Sequence, residues 1–111
     1  MANPERLIVG ISGASGVILG VRLLQALAET PIEAHLVMTK TAEVTLAYET
    51  EIKPEAVRKL ADKVYPVADL GAAISSGSFQ TRGMIIAPCS VRTLSEIATG
   101  VTSNLLTRAA D

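Results

Sequence analysis

The apolar positions of this 111-residue chain fall into short continuous runs separated by stretches of helical period. Leu7 to Ile11 is one such run, the pattern of a strand buried on both faces. From Val17 to Glu29 the polar residues Arg22, Gln25 and Glu29 recur on one side while Val17, Leu24, Leu27 and their neighbours fill the rest, which predicts a helix lying on a sheet. Pro31 ends it, and Ile32 to Met38 reads as a second strand, reached by a right-handed crossover. Two helical stretches follow, Thr41 to Glu49 and Pro54 to Lys63, the second with Pro54 in its first turn, where a missing amide is harmless. Between Tyr65 and Arg82 the pattern breaks down, and Ile74-Ser-Ser-Gly-Ser-Phe79 reads as a loop. Met84 to Ala87 restores a short strand, stopped by Pro88. Thr93-Leu-Ser-Glu96 has the spacing of a capping box for a helix running to Thr99, and a further short helix fits Asn104 to Ala110. Strand and helix alternate, as in a parallel sheet covered on both faces, yet only three strands can be counted, few for such a sheet.

The most specific chemistry lies in Gly10-Ile-Ser-Gly-Ala-Ser-Gly16-Val-Ile18, where the first strand turns through small residues into the first helix. Backbone N–H groups and the positive end of a helix dipole meet at such a turn, and together they hold phosphate. The spacing Gly-x-x-Gly-x-x-Gly is neither the Gly-x-Gly-x-x-Gly of dinucleotide folds nor a P-loop, because no Gly-Lys-Ser/Thr follows. That argues against ATP and weakens the case for NAD. Thr39 lies at the carboxyl end of the second strand, where open α/β sheets bind ligands. Turns after three parallel strands open on one edge of the sheet, so residues 13–16, 39–40 and 90–93 are expected to converge in one crevice. Ser90 and Thr93 precede a helix, and with its first amides they would make a second anion site. Capping alone would account for those two hydroxyls, but not for three glycines around Ser15.

Charge and composition remove other classes. Ten basic and eleven acidic residues give a net charge of -1, with no electrostatic footprint for nucleic acid and no polybasic membrane anchor, so the expected partner is small. One cysteine excludes an internal disulfide framework, and one cysteine with one histidine cannot make a zinc site by themselves. No run approaches the roughly 18 apolar residues of a membrane span, no signal peptide precedes the first strand, and a cytoplasmic location is expected. Cys89, beside Pro88, has no histidine nearby in sequence to activate it and reads as a small buried thiol. His35 lies inside the second strand, away from its carboxyl end, and reads as a structural histidine. Glu49 alone reads as a solvated carboxylate. Arg92 faces either a ligand phosphate or solvent.

Taken in order, Ile11-Ser-Gly-Ala-Ser-Gly16, Leu36-Val-Met-Thr-Lys40, Glu49-Thr50, Ser75-Ser-Gly-Ser-Phe79, Pro88-Cys-Ser90 with Thr93-Leu94, and Leu106-Thr-Arg-Ala-Ala-Asp111 resemble the UbiX-type flavin prenyltransferases over essentially the whole chain. The resemblance implies a flavodoxin-like (Rossmann-like) three-layer α/β/α fold with a parallel sheet, and residues 1–111 as a single flavin-binding domain. Family members continue past the position matching Asp111, so it also implies the amino-terminal part of a longer protein. It implies FMN as bound flavin and substrate, dimethylallyl monophosphate as co-substrate, and transfer of the dimethylallyl group to N5 and C6 of reduced flavin without a metal. Prenylated FMN would then serve UbiD-type decarboxylases of ubiquinone biosynthesis or aromatic-acid breakdown. Homododecamers built from trimers, with active sites at subunit junctions, are implied as well. Residue by residue, Ser15 and Glu49 match catalytic positions. Gly13, Ala14, Ser15, Thr39, Ser90, Val91, Arg92 and Thr93 match flavin-binding ones, with Thr39 keeping the hydroxyl of the serine usual in relatives. Leu19 stands where some relatives carry an aromatic residue. Two further readings remain open: an FMN-dependent cysteine decarboxylase of the same fold, and an inactive flavin-binding fragment. The Ser-Gly-Ala-Ser-Gly turn and the Ser-Ser-Gly-Ser-Phe loop favour the prenyltransferase.

Overall fold

Four strands, β1 (Arg6–Ile11), β2 (Glu33–Met38), β3 (Lys63–Tyr65) and β4 (Gly83–Ile86), pair in parallel in the order β3-β2-β1-β4. The computed structural model describes residues 5–69, 72–75 and 80–110. Residues 76–79 of the Ser-Ser-Gly-Ser-Phe motif and Asp111 lie outside the described residues.

Alternation along the strands divides the core in two. Val9 and Ile11 of β1 and Ala34, Leu36 and Met38 of β2 face α1 (Ile18–Leu27), α2 (Lys40–Glu49) and α3 (Pro54–Arg58), which contribute Val21, Leu24, Leu27, Ala42, Leu46 and Val57 to the same cluster. Ile8, Val37 and Tyr65 point the other way, onto a 3-10 turn at Ala73–Ser75 and α5 (Leu105–Ala110), which supplies Leu105 and Leu106. The result is three layers, the flavodoxin-like, Rossmann-like α/β/α class expected. Within that class the strand order is the one used by the first half of dinucleotide-binding sheets. The order reverses between β1 and β4, and the chain crosses there from one face of the sheet to the other. Among the described residues no helix is long and apolar enough to cross a membrane.

Three expectations need correction. A fourth strand exists: β3 bridges the end of the stretch read as a helix and the start of the region read as patternless, beginning at Lys63, the residue taken as the end of that helix. That helix stops at Arg58. Three residues are too few to show a period, so β3 owes its existence to its partner. His35, Leu36 and Val37 pair with Lys63, Val64 and Tyr65, and Asp62 closes the entry by accepting from Ala34 N–H through Oδ2 (2.7 Å) while its own N–H donates to the Ala34 carbonyl (2.9 Å). The third correction concerns α4 (Val91–Thr99), whose N-cap is Ser90 and not Thr93: Ser90 Oγ accepts from the Thr93 amide at 3.1 Å. Glu96 is therefore free of any capping-box duty.

Candidate functional site

The carboxyl ends of β1 and β4 are tied together by Ser12, a residue 1% exposed. Its amide and its hydroxyl both donate to the Pro88 carbonyl (3.1 and 2.7 Å), and its Oγ accepts from the Ser90 amide (2.6 Å). On the other flank, the Thr39 amide donates to the Ile11 carbonyl (3.0 Å), and Thr39 caps α2 by accepting from the Ala42 amide (3.1 Å). The three turns are brought into one cleft, as the parallel arrangement predicts. A cavity of about 470 Å³ opens there, lined by Gly13, Thr39, Lys40 and Thr41 from the β1 and β2 ends, by Ser90, Arg92, Thr93 and Glu96 from α4, and by Val67, Ser103 and Asn104 opposite. Hydroxyls and two cations dominate this wall, a donor set suited to a sugar-alcohol chain ending in phosphate.

Of the expected binding residues, Gly13, Thr39, Ser90, Arg92 and Thr93 line the cavity. Ala14 sits in the turn, its amide donating to the Ser12 carbonyl (2.9 Å), while Val91 is 86% exposed and lies outside the cavity. Ser15 and Glu49 do not line this cavity and form a separate pair at the end of the glycine turn. Ser15 Oγ donates to Glu49 Oε2 at 2.9 Å, and Glu49 Oε1 accepts from the amides of Gly16 (3.0 Å) and Val17 (3.3 Å). These bonds, first that of Ser15 and then that of Gly16, hold the Glu49 carboxyl below its usual range.

The pair changes the reading of the glycine turn. The amides leading into α1 were expected to cradle phosphate, but a carboxylate of the same chain already stands on them. Of the two termini named from the sequence, that of α4 is the open one. Thr93 N–H is satisfied by Ser90, whereas the amides of Val91 and Arg92 have no protein partner among the described residues, as is usual for the first amides of a helix. The second anion site named from the sequence is thus the accessible one.

Lys40, Thr41, Glu96, Ser103 and Asn104 were not singled out by sequence reasoning. Thr41 presses on the glycine turn, and a Cβ on Gly13 would stand 2.6 Å from its side chain. Asn104 caps α5, its Oδ1 accepting from the Thr107 amide (3.0 Å). Thr41 meets Gly13 from far along the chain, and Glu96 and Asn104 sit in local patterns that read as helix starts, so only Lys40, within the named 39–40 segment at a strand end, carried a signal. The discounted residues behave as expected. Cys89 is half-buried, and burial pushes its thiol up, while His35 is 5% exposed and engaged on both ring nitrogens, by Tyr65 Oη (2.9 Å) and Glu33 Oε1 (3.1 Å).

Comparison with known proteins agrees with this geometry. Flavin prenyltransferase UbiX of Escherichia coli K12 is 58% identical over 108 residues, which cover 96% of this chain and 57% of that protein. The chain thus spans little more than half the length of that curated relative. A crystal structure of AnUbiX (PadA1) in complex with FMN and dimethylallyl pyrophosphate superposes with a TM-score of 0.96 at 46% identity, covering 98% of this chain and 58% of that one. A dodecameric FMN-dependent UbiX-like decarboxylase from Escherichia coli O157:H7 gives 0.94 at 52% identity, over 96% and 59%. The profile of the Flavoprotein family matches residues 1–111, the full span of the sequence, and the chain belongs to that family.

Proposed function

We propose that the protein is a flavin prenyltransferase that binds FMN in the cleft at the β1–β4 switch point and transfers a dimethylallyl group to it from dimethylallyl monophosphate. The observation that carries the proposal is the hydroxyl-lined cleft with an open α4 terminus at one end and the Ser15–Glu49 pair beside the same glycine turn. The pair stands where the resemblance puts catalysis. The residues fit the flavin: Ser90, Thr93 and the first amides of α4, with Arg92 and Lys40 near, suit its phosphate. Thr39, Thr41 and Asn104 suit its ribityl hydroxyls.

When bound and reduced, the flavin supplies the nucleophilic positions N5 and C6. The protein's part is to orient the allyl donor and to manage charge and protons. Ser15 directs its proton to Glu49, so its outward lone pairs can accept from an N–H of the ligand. Donating to a departing phosphate requires the hydroxyl to turn away from Glu49, and the Gly16 and Val17 amides hold the carboxylate in place while it does. Glu49, kept ionised by the same bonds, is then a ready proton acceptor in the later ring-closing stage. Ser15→Ala and Glu49→Gln in the full-length protein should keep FMN affinity within about threefold and lose prenylation by about a hundredfold or more, since each acts as charge moves. Equal loss of FMN binding would return both residues to an anchoring role.

The product would serve UbiD-type decarboxylases, and the assembly would be a homo-oligomer, as in the dodecameric relative. A cytoplasmic location suits both.

A further inference from the structure

Glu96 lines the cleft from α4, with its side chain 12% exposed. Its Oε1 accepts from both the hydroxyl (2.7 Å) and the amide (3.2 Å) of Ser103, and its Oε2 accepts from Arg92 Nε (3.0 Å). Arg92, by contrast, is 82% exposed, so the carboxylate is the fixed member of the pair. One side chain therefore sets two things at once, the heading of the cleft's arginine and the position of the Ser103–Asn104 segment that opens α5. A carboxylate in a cleft that takes an anion is unfavourable unless something offsets it. Here the Ser103 hydroxyl first, then its amide and Arg92, hold Glu96 ionised below the usual carboxylate range.

We propose that Glu96 is a positioning residue for the anion end of the cleft, fixing the heading of Arg92 toward a flavin phosphate while Ser103 braces the carboxylate. This rests on the flavin reading given above. A bystander carboxylate and a positioning one predict opposite signs. Removing a bystander negative charge near bound phosphate tightens binding severalfold at low salt. Removing the clamp loosens it.

The test is titration of the full-length protein with FMN and with riboflavin, which lacks the phosphate, for the parent, Glu96→Gln, Ser103→Ala and the double variant. Each single variant should weaken FMN about tenfold, the scale of one charge-assisted bond, and move riboflavin less than about twofold. The double variant should fall little below the worse single, because both break the same contact. Unchanged or tighter FMN binding by Glu96→Gln overturns the proposal, and so does a loss shared equally by riboflavin, which marks general loosening. If Glu96→Gln does not fold, Ser103→Ala decides alone, since it leaves the charge in place: an FMN-selective loss supports the clamp, and no loss overturns it. A parent protein without preference for FMN over riboflavin fails the flavin reading and this inference with it. A parent that prefers FMN beside variants that keep its preference and affinity overturns this inference alone.

Discussion

Gly13 is held to glycine by its neighbour, since a Cβ there would also stand 2.9 Å from the Thr41 backbone carbon. A larger side chain must push the β1 turn and the start of α2 apart, and both line the cleft. Gly13→Val should abolish FMN binding while far-UV circular dichroism shows helix content little changed, and a variant that titrates like the parent would move the flavin away from this turn. Glu49 adds a pH dependence. Its carboxyl is lowered in the folded protein, so its contribution to stability is complete above the ordinary carboxylate range and is lost as pH falls through it. The group faces solvent, so the effect is small and weakens with salt. Glu49→Gln should flatten the acid side of the stability curve, measured by urea unfolding between about pH 3 and pH 6. Cys89→Ser should remain active, since burial raises the thiol and the protein's one histidine is engaged elsewhere. At this scale the glycine turn, Thr39 and Ser90 were legible, because strand-end position and residue type speak locally. Ser12 and Glu96 were not: the partners of Ser12 lie 76 and 78 residues away, and the local Thr-x-x-Glu spacing pointed Glu96 to the wrong task.

Elements follow the same division. The helical stretches read from sequence placed α1 and α2 within a few residues of their observed ends, whereas β3, with no period of its own, became visible only through pairing with β2. A side-chain bond helps hold it. Burial pushes the Tyr65 hydroxyl up, so it remains a donor, and one histidine tautomer satisfies both it and Glu33. Tyr65→Phe removes the hydroxyl bond to buried His35 Nδ1 and should cost about 1–3 kcal/mol, read as a lower urea midpoint at unchanged slope. Helix α1 meets the end of β4 at Gly20, where a Cβ would collide with the Ala87 carbonyl and stand 2.7 Å from Ile11. Gly20→Ala should destabilise by about 1–3 kcal/mol despite the better helix propensity of alanine. It should weaken FMN binding too, because the displaced segment leads directly into the Ser90 cap. A variant as stable as the parent would show that the α1 approach can relax.

As a whole, the chain leaves apolar surface uncovered. Val91 and Leu94 on α4, Leu19 on α1 and Ile85 on β4 are 86%, 60%, 60% and 42% exposed, and β4 has a paired strand on one side only among the described residues. Composition alone could not locate these patches, since a sequence does not state which apolar residues lack a cover. One related structure is dodecameric, so these patches should be covered by self-association, and sedimentation should show species larger than a monomer; a monodisperse monomer would leave them uncovered. The central claim, that this fold holds FMN for prenyl transfer, is tested most directly by the mass of the flavin itself. Full-length protein is incubated anaerobically with reduced FMN and dimethylallyl monophosphate, and the released flavin is weighed. A flavin heavier by one isoprene unit is the predicted result; unchanged FMN, recovered from protein that is folded and has bound it, would contradict the account.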